Sequence, residues 1–178
     1  SSMDSDTHRK KFGLKTKFRI SASDVGVWRG NIVYELEEVI RETDAMSESE
    51  MVKLRIVRSI LYCGTTLGYL LPAFVATRAL KNIDLVSIVS DMVDVPSEEF
   101  PKLSLAMSEM RKLAEEEFFD CKDSADQYMS NPNIYENLVN EPPVKFNYWI
   151  ATKLAIDRDL RQEFDQFIIQ NLVLQGLA

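Results

Sequence analysis

Histidine is almost missing from this sequence, and that one scarcity excludes much chemistry. His8 stands alone, in a polar stretch near the N-terminus. Ser-His and Cys-His nucleophile pairs need an imidazole beside the nucleophile. Zinc sites built from Cys and His need several such ligands together, and the Glu-x-x-His pairs of di-iron bundles are absent too. Cysteine is nearly as rare: Cys63 and Cys121 are too few for a disulfide framework and read as two reduced thiols. Glycine never clusters ahead of a Lys-Ser or Lys-Thr, so no phosphate-cradling loop exists. No metal or cofactor is therefore expected, and the chain reads as a non-enzyme. Carboxylates are plentiful, at Glu35, Glu37 and Glu38 and again through residues 115–120. They could serve general acid–base work, but a charge run on a surface helix reads first as a solvated face.

Charge is what one long stretch lacks. Residues 59–77, SILYCGTTLGYLLPAFVAT, run nineteen positions without an acid or a base. A segment with no polar face has to be surrounded by protein or lipid. Its length meets the usual threshold for a membrane span, and Gly64 and Gly68 stand at the small-xxx-small spacing of packed membrane helices. Against a span stand four Ser and Thr residues, Tyr62 and Tyr69 in mid-run, and Pro72. Arg55 and Arg58 on one flank face Arg78 and Lys81 on the other, which removes any positive-inside asymmetry. The expectation is a buried central helix, kinked or broken near Pro72, with Ile60, Leu61, Leu67, Leu70 and Phe74 shielded from water.

A secretory leader is also lacking, since the N-terminus is polar throughout; with the two thiols this points to an intracellular protein. Ser1, Ser2 and Met3 read as a cloning remnant. At 178 residues and 46% hydrophobic, the chain can bury a core without staples.

What the sequence does hold is helical periodicity. Residues 4–13 show no period. Residues 14–20, LKTKFRI, alternate apolar and basic, as a short extended segment on the surface would. From Ser23 onward Val25, Trp28, Ile32, Leu36, Val39 and Ile40 follow at helical spacing, predicting a helix over about 24–42 with Trp28 in the core. Ser47-Glu48-Ser49-Glu50 is a capping box opening a second helix that runs into the charge-free stretch. A further helix is expected through Phe74, Val75 and Leu80. Asn82 and Asp84 offer a cap for Leu85, Ile88, Val89 and Met92, and Pro96 closes that piece. Leu103, Met107, Met110, Ala114, Phe118 and Cys121 form one amphipathic stripe. Residues 131–133 and 141–143 are breaks around a short helix. Phe146, Trp149, Ile150 and Leu154 mark another, and Asp157 can cap the last, which carries Leu160, Phe164, Phe167, Ile168 and Leu172. The fold class read from this is all-α: a single-domain bundle of six to eight helices over 21–178, preceded by a mobile basic arm, 1–20.

Charge is laid out unevenly. The first twenty residues carry a net +4, which leaves −11 for the rest of a chain totalling −7; residues 91–126 alone carry −7. Three functional readings follow. The favoured one is an interaction module, binding a protein partner or itself through an apolar groove with an acidic rim. Met107 and Met110 would form the adaptable groove, and Glu115, Glu116 and Glu117 the rim that steers a basic partner. The second is a nucleic-acid-associated structural protein, using Arg9, Lys10, Lys11, Lys15, Lys17 and Arg19 against a polyanion. The third is an apolar-ligand or membrane-associated domain built on the central helix. No residue-level family signature is present, and a helical pattern alone licenses no function.

Overall fold

The computed structural model describes residues 6–73, 75, 83–140 and 145–176. The chain is mostly helical but not all-α, because a long antiparallel hairpin stands where a first helix was expected. It divides into two compact units, one of Ser1–Met51 with Glu115–Val144, the other of Val52–Ala114 with Lys145–Ala178.

The first unit holds α1 (Asp6–Lys11), β1 (Lys15–Trp28) and β2 (Asn31–Glu42), with two later helices. The helix expected over 24–42 is corrected by the two strands. Its apolar positions Trp28, Ile32, Leu36 and Ile40 recur every four residues, an even spacing that suits a strand as well as a helix. The β-branched content (Val25, Val27, Ile32, Val33, Val39, Ile40) then favours the strand. Arg29 and Gly30 close it as a two-residue turn, both with positive φ (52° and 80°), the pattern whose twist matches a hairpin. Trp28 pairs with Asn31 across that turn, Ile20 with Leu36, Phe18 with Glu38 and Thr16 with Ile40. Between Ile20 and Val25 the register slips, so residues 21–24 face Glu35 alone on the other strand. The extended reading of 14–20 is seen as the first part of β1, and residues 6–11 of the expected arm are helical.

After α2 (Glu48–Thr66), α3 (Leu85–Met92) and α4 (Pro101–Glu116), the helices α5 (Lys122–Met129) and α6 (Pro132–Asn140) complete the first unit. α5 reaches the hairpin through Tyr34, whose hydroxyl donates to Asp126 Oδ1, and through Lys122, 5.7 Å from the Phe18 ring. Tyr34 and Phe18 sit on one hairpin face, with Leu36 and Ile40, because paired residues across a ladder share a face. Phe18 also exchanges two backbone hydrogen bonds with Phe119, at 2.8 and 2.7 Å.

The second unit holds most of α2 (Glu48–Thr66) and of α4 (Pro101–Glu116), with α3 (Leu85–Met92), α7 (Phe146–Ile156) and α8 (Arg158–Gly176). Its core joins Ile56 and Ile60 of α2, Ile88 and Met92 of α3, Leu103, Met107 and Met110 of α4, Ile150 and Leu154 of α7, and Phe164 and Phe167 of α8. The caps read at Ser47, Asp84 and Asp157 are formed. The Ser47 amide donates to Glu50 Oε2 at 2.8 Å; Asp84 accepts from the amides of Val86 and Ser87; Asp157 accepts from those of Asp159 and Leu160.

The central helix stops earlier than Pro72 implied. α2 ends at Thr66, Gly68 turns with φ of 80°, and the Leu70 amide returns to the Gly64 carbonyl at 3.1 Å. Residues 71–73 are helical again, so Pro72 lies in a first turn, where its missing N–H is no loss. Ile60 and Leu70 are buried and Leu61 packs against the core, but Leu67 is 47% exposed on the turn, correcting the expectation that it is shielded. Phe74, Leu80, Asn82 and residues 141–143 lie outside the described residues. The amphipathic stripe of α4 ends at Ala114; Phe118 follows the helix, and Cys121 is exposed at the start of α5.

Candidate interaction surface

The methionines expected to line a groove are core. Met107 is 2% exposed and Met110 0%, since both lie on the buried stripe of α4 with Leu103 and Ala114. A partner could reach them only by opening the second unit's interior. The proposed rim falls in the first unit, where Glu115 and Glu116 are exposed and Glu117 is half-buried against Arg19, at 3.6 Å.

The cations assigned to a polyanion are largely committed within the first unit. Arg9 makes a two-pronged bond to Glu38 at 2.7 and 2.8 Å. Lys15 bonds Glu42 at 2.5 Å. Lys17 lies 3.3 Å from Glu48 and 3.5 Å from Asp120. Arg19 bonds Glu37 at 2.5 Å. Lys10 and Lys11 are exposed, Lys11 over the ring of Phe12. These pairs shift their acids. The bonds from Arg9 and then Thr16 outweigh partial burial and bring the Glu38 carboxyl down to about 2. Burial would raise Glu48, yet Arg41 and Lys17 hold it below the ordinary value. Tyr34 is pushed up to about 12, chiefly by burial and then by its bond to Asp126.

Sequence reasoning missed the surface the hairpin makes. Trp28 is 65% exposed, not core, and Val27 and Val33 beside it are 51% and 46% exposed. The Arg29 guanidinium lies 5.5 Å from the Trp28 ring centroid. From Val25 to Tyr34 the only charge is that of Arg29, whereas β2 beyond it carries Glu35, Glu37, Glu38 and Glu42. The hairpin thus presents an apolar, aromatic tip beside an acidic strand. The signal available in sequence was Trp-Arg-Gly-Asn between β-branched runs, a two-residue turn ending in glycine.

A recess of about 330 Å³ runs along α8 past Arg158, Arg161, Gln162, Asp165, Gln166 and Ile169. Burial raises the Asp165 carboxyl against the pull of Arg161. Among the described residues no cluster of His, Cys, Asp and Glu is arranged to hold a metal ion, and no helix is long and apolar enough to cross a membrane. No protein-family model matches the chain, and no curated protein matches it.

Proposed function

We propose that this chain is a non-enzymatic interaction module that binds a protein partner through its hairpin, with Trp28 as the anchor. The observation that carries the reading is the exposure of Trp28 on a tight turn, flanked by Val27 and Val33. Tryptophan is the residue type most enriched among interface hot spots, and a two-residue turn presents it with little conformational entropy left to lose. The groove with an acidic rim read from sequence is replaced by an apolar tip beside the glutamates of β2. Two free thiols, Cys63 buried and Cys121 exposed, fit an intracellular setting. The nucleic-acid reading is the weaker one, because Arg9, Lys15, Lys17 and Arg19 would have to leave carboxylates at 2.5–3.3 Å to meet phosphates.

A photoreactive amino acid placed at position 28, with position 148 as control, tests this in cells. The expected result is an adduct from position 28 alone. Its partner, once identified and purified, should bind the chain and lose about tenfold or more in affinity against Trp28→Ala. A purified partner that binds Trp28→Ala as tightly as the parent chain overturns the proposal.

A further inference from the structure

Parity along the hairpin decides which backbone groups remain unused. Phe18 gives both its N–H and its C=O to Phe119, so those groups point away from β2. In an antiparallel ladder the residue directly opposite then turns both of its groups outward too. That residue is Glu38, and the unbroken register carries the same orientation to Leu36, opposite Ile20, and Ile40, opposite Thr16. Among the described residues no backbone group pairs with the outward side of β2, whose sheet has two strands only. Leu36, Glu38 and Ile40 therefore present three donors and three acceptors in a row on an open edge.

The side chains along that edge state what can dock there. β2 carries Glu35, Glu37, Glu38 and Glu42, with Arg41 as its one cation. Arg41 is buried and bonded to Glu48. The cations balancing Glu37, Glu38 and Glu42 come from β1 and α1, and Glu35 has no ion pair among the described residues. A second copy's β2 fits badly. The antiparallel registers of greatest overlap, centred on Leu36, Glu37 or Glu38, set glutamate opposite glutamate, which is destabilising in a ladder. The inner edge of β2 already displays the matching chemistry, because β1 meets it with Lys15, Lys17 and Arg19 on alternate residues.

Resting on the interaction-module reading above, we infer that the outer edge of β2 takes an extended basic segment of a partner protein, patterned Lys-x-Lys-x-Arg. The segment adds as a further strand. Main-chain bonds to Leu36, Glu38 and Ile40 supply affinity, and charge supplies selection, as in other strand-addition complexes.

The probe is a labelled peptide of residues 14–20, Leu-Lys-Thr-Lys-Phe-Arg-Ile, titrated with the whole chain by fluorescence anisotropy. Binding should be saturable. It should weaken about tenfold from low to high salt and about fivefold in Glu35→Lys, which leaves the β1 ladder and its ion pairs in place. Two N-methylated versions carry the methyls on odd or on even peptide positions. One set should abolish binding and the other preserve it, because alternate amides face the edge. Equal binding by both sets overturns the inference, and so does equal binding by a peptide with its three bases changed to Glu. A dimer in light scattering that competes with the peptide would make the second copy the occupant and overturn the choice of a basic partner. Adducts at position 28 without peptide binding would sink this inference alone, whereas absence of both would sink the interaction-module reading.

Discussion

The guanidinium carbon of Arg41 lies 4.1 Å from the centroid of the Phe118 ring, while its Nε donates to Glu48 Oε1 at 3.2 Å. Arg41 is 4% exposed, and its Nη2 is buried with no hydrogen-bond partner among the described residues. A buried charge so placed depends on the ring face for part of its compensation. Replacing Phe118 by Leu keeps most of the apolar volume and removes the π face. Urea unfolding should show a loss of about 1–2 kcal/mol, the range of a desolvated cation–π contact. An unchanged midpoint would mean the ring contributes packing alone.

Glu38 carries the clearest pH dependence. Its carboxyl titrates at about 2 in the folded chain, held down first by Arg9 and then by Thr16, against an ordinary value of 4.5. A depressed carboxylate contributes stability that is complete above the unfolded pKa and lost as pH falls through the folded one. Unfolding free energy should therefore fall between about pH 4.5 and pH 2, and Glu38→Gln should flatten that limb while changing little at neutral pH relative to its own acid value. An identical acid slope in both proteins would refute the pairing.

Two truncations separate core from turn. Met110→Ala empties a fully buried position and should cost about 2–5 kcal/mol. Leu67→Ala removes a side chain nearly half exposed and should cost under about 1 kcal/mol. Equal losses would contradict the placement of the helix break.

Gly64 is set against Leu70. A Cβ on Gly64 would come within 2.3 Å of Leu70 Cδ1 and 2.8 Å of its Cβ, too close for the side-chain tip alone to yield. Gly64→Ala should destabilise by about 1–3 kcal/mol. The double change with Leu70→Ala should recover part of that loss as a coupling energy, because the two residues are in contact. Strict additivity would show that the turn adjusts freely.

The hairpin turn offers the opposite test. Arg29 holds a positive φ that costs a non-glycine residue roughly 1 kcal/mol. Arg29→Asn, giving the favoured Asn-Gly turn, should raise stability by several tenths of a kcal/mol. Gly30→Ala should lower it by about 1 kcal/mol. Thermal melts showing the reverse order would argue against this turn geometry.

The sequence by itself determined most of the helices after residue 47. Capping chemistry is local: Ser47 with Glu50, Asp84 with the Val86 and Ser87 amides and Asp157 with the Leu160 amide bond within three residues of one another, so their partners are written in the string. The buried stripe of α4 and the faces of α7 and α8 were legible for the same reason, since one period served one face. Tertiary structure decided the rest. Between residues 15 and 42 a spacing of four fits helix and strand alike; β-branched content leans toward strand, and the partner strand, with Phe119 and α5, completes the choice by satisfying backbone groups and covering one face. It also decided which surface is left to act. Trp28 stands clear because it flanks the hairpin turn, Met107 and Met110 are sealed because α4 packs inward, and Lys15 and Arg19 are engaged because strand pairing brings Glu42 and Glu37 across from them, while α1 carries Arg9 to Glu38. Contacts between residues distant in sequence depend on the folded path of the chain, and no local pattern encodes that path.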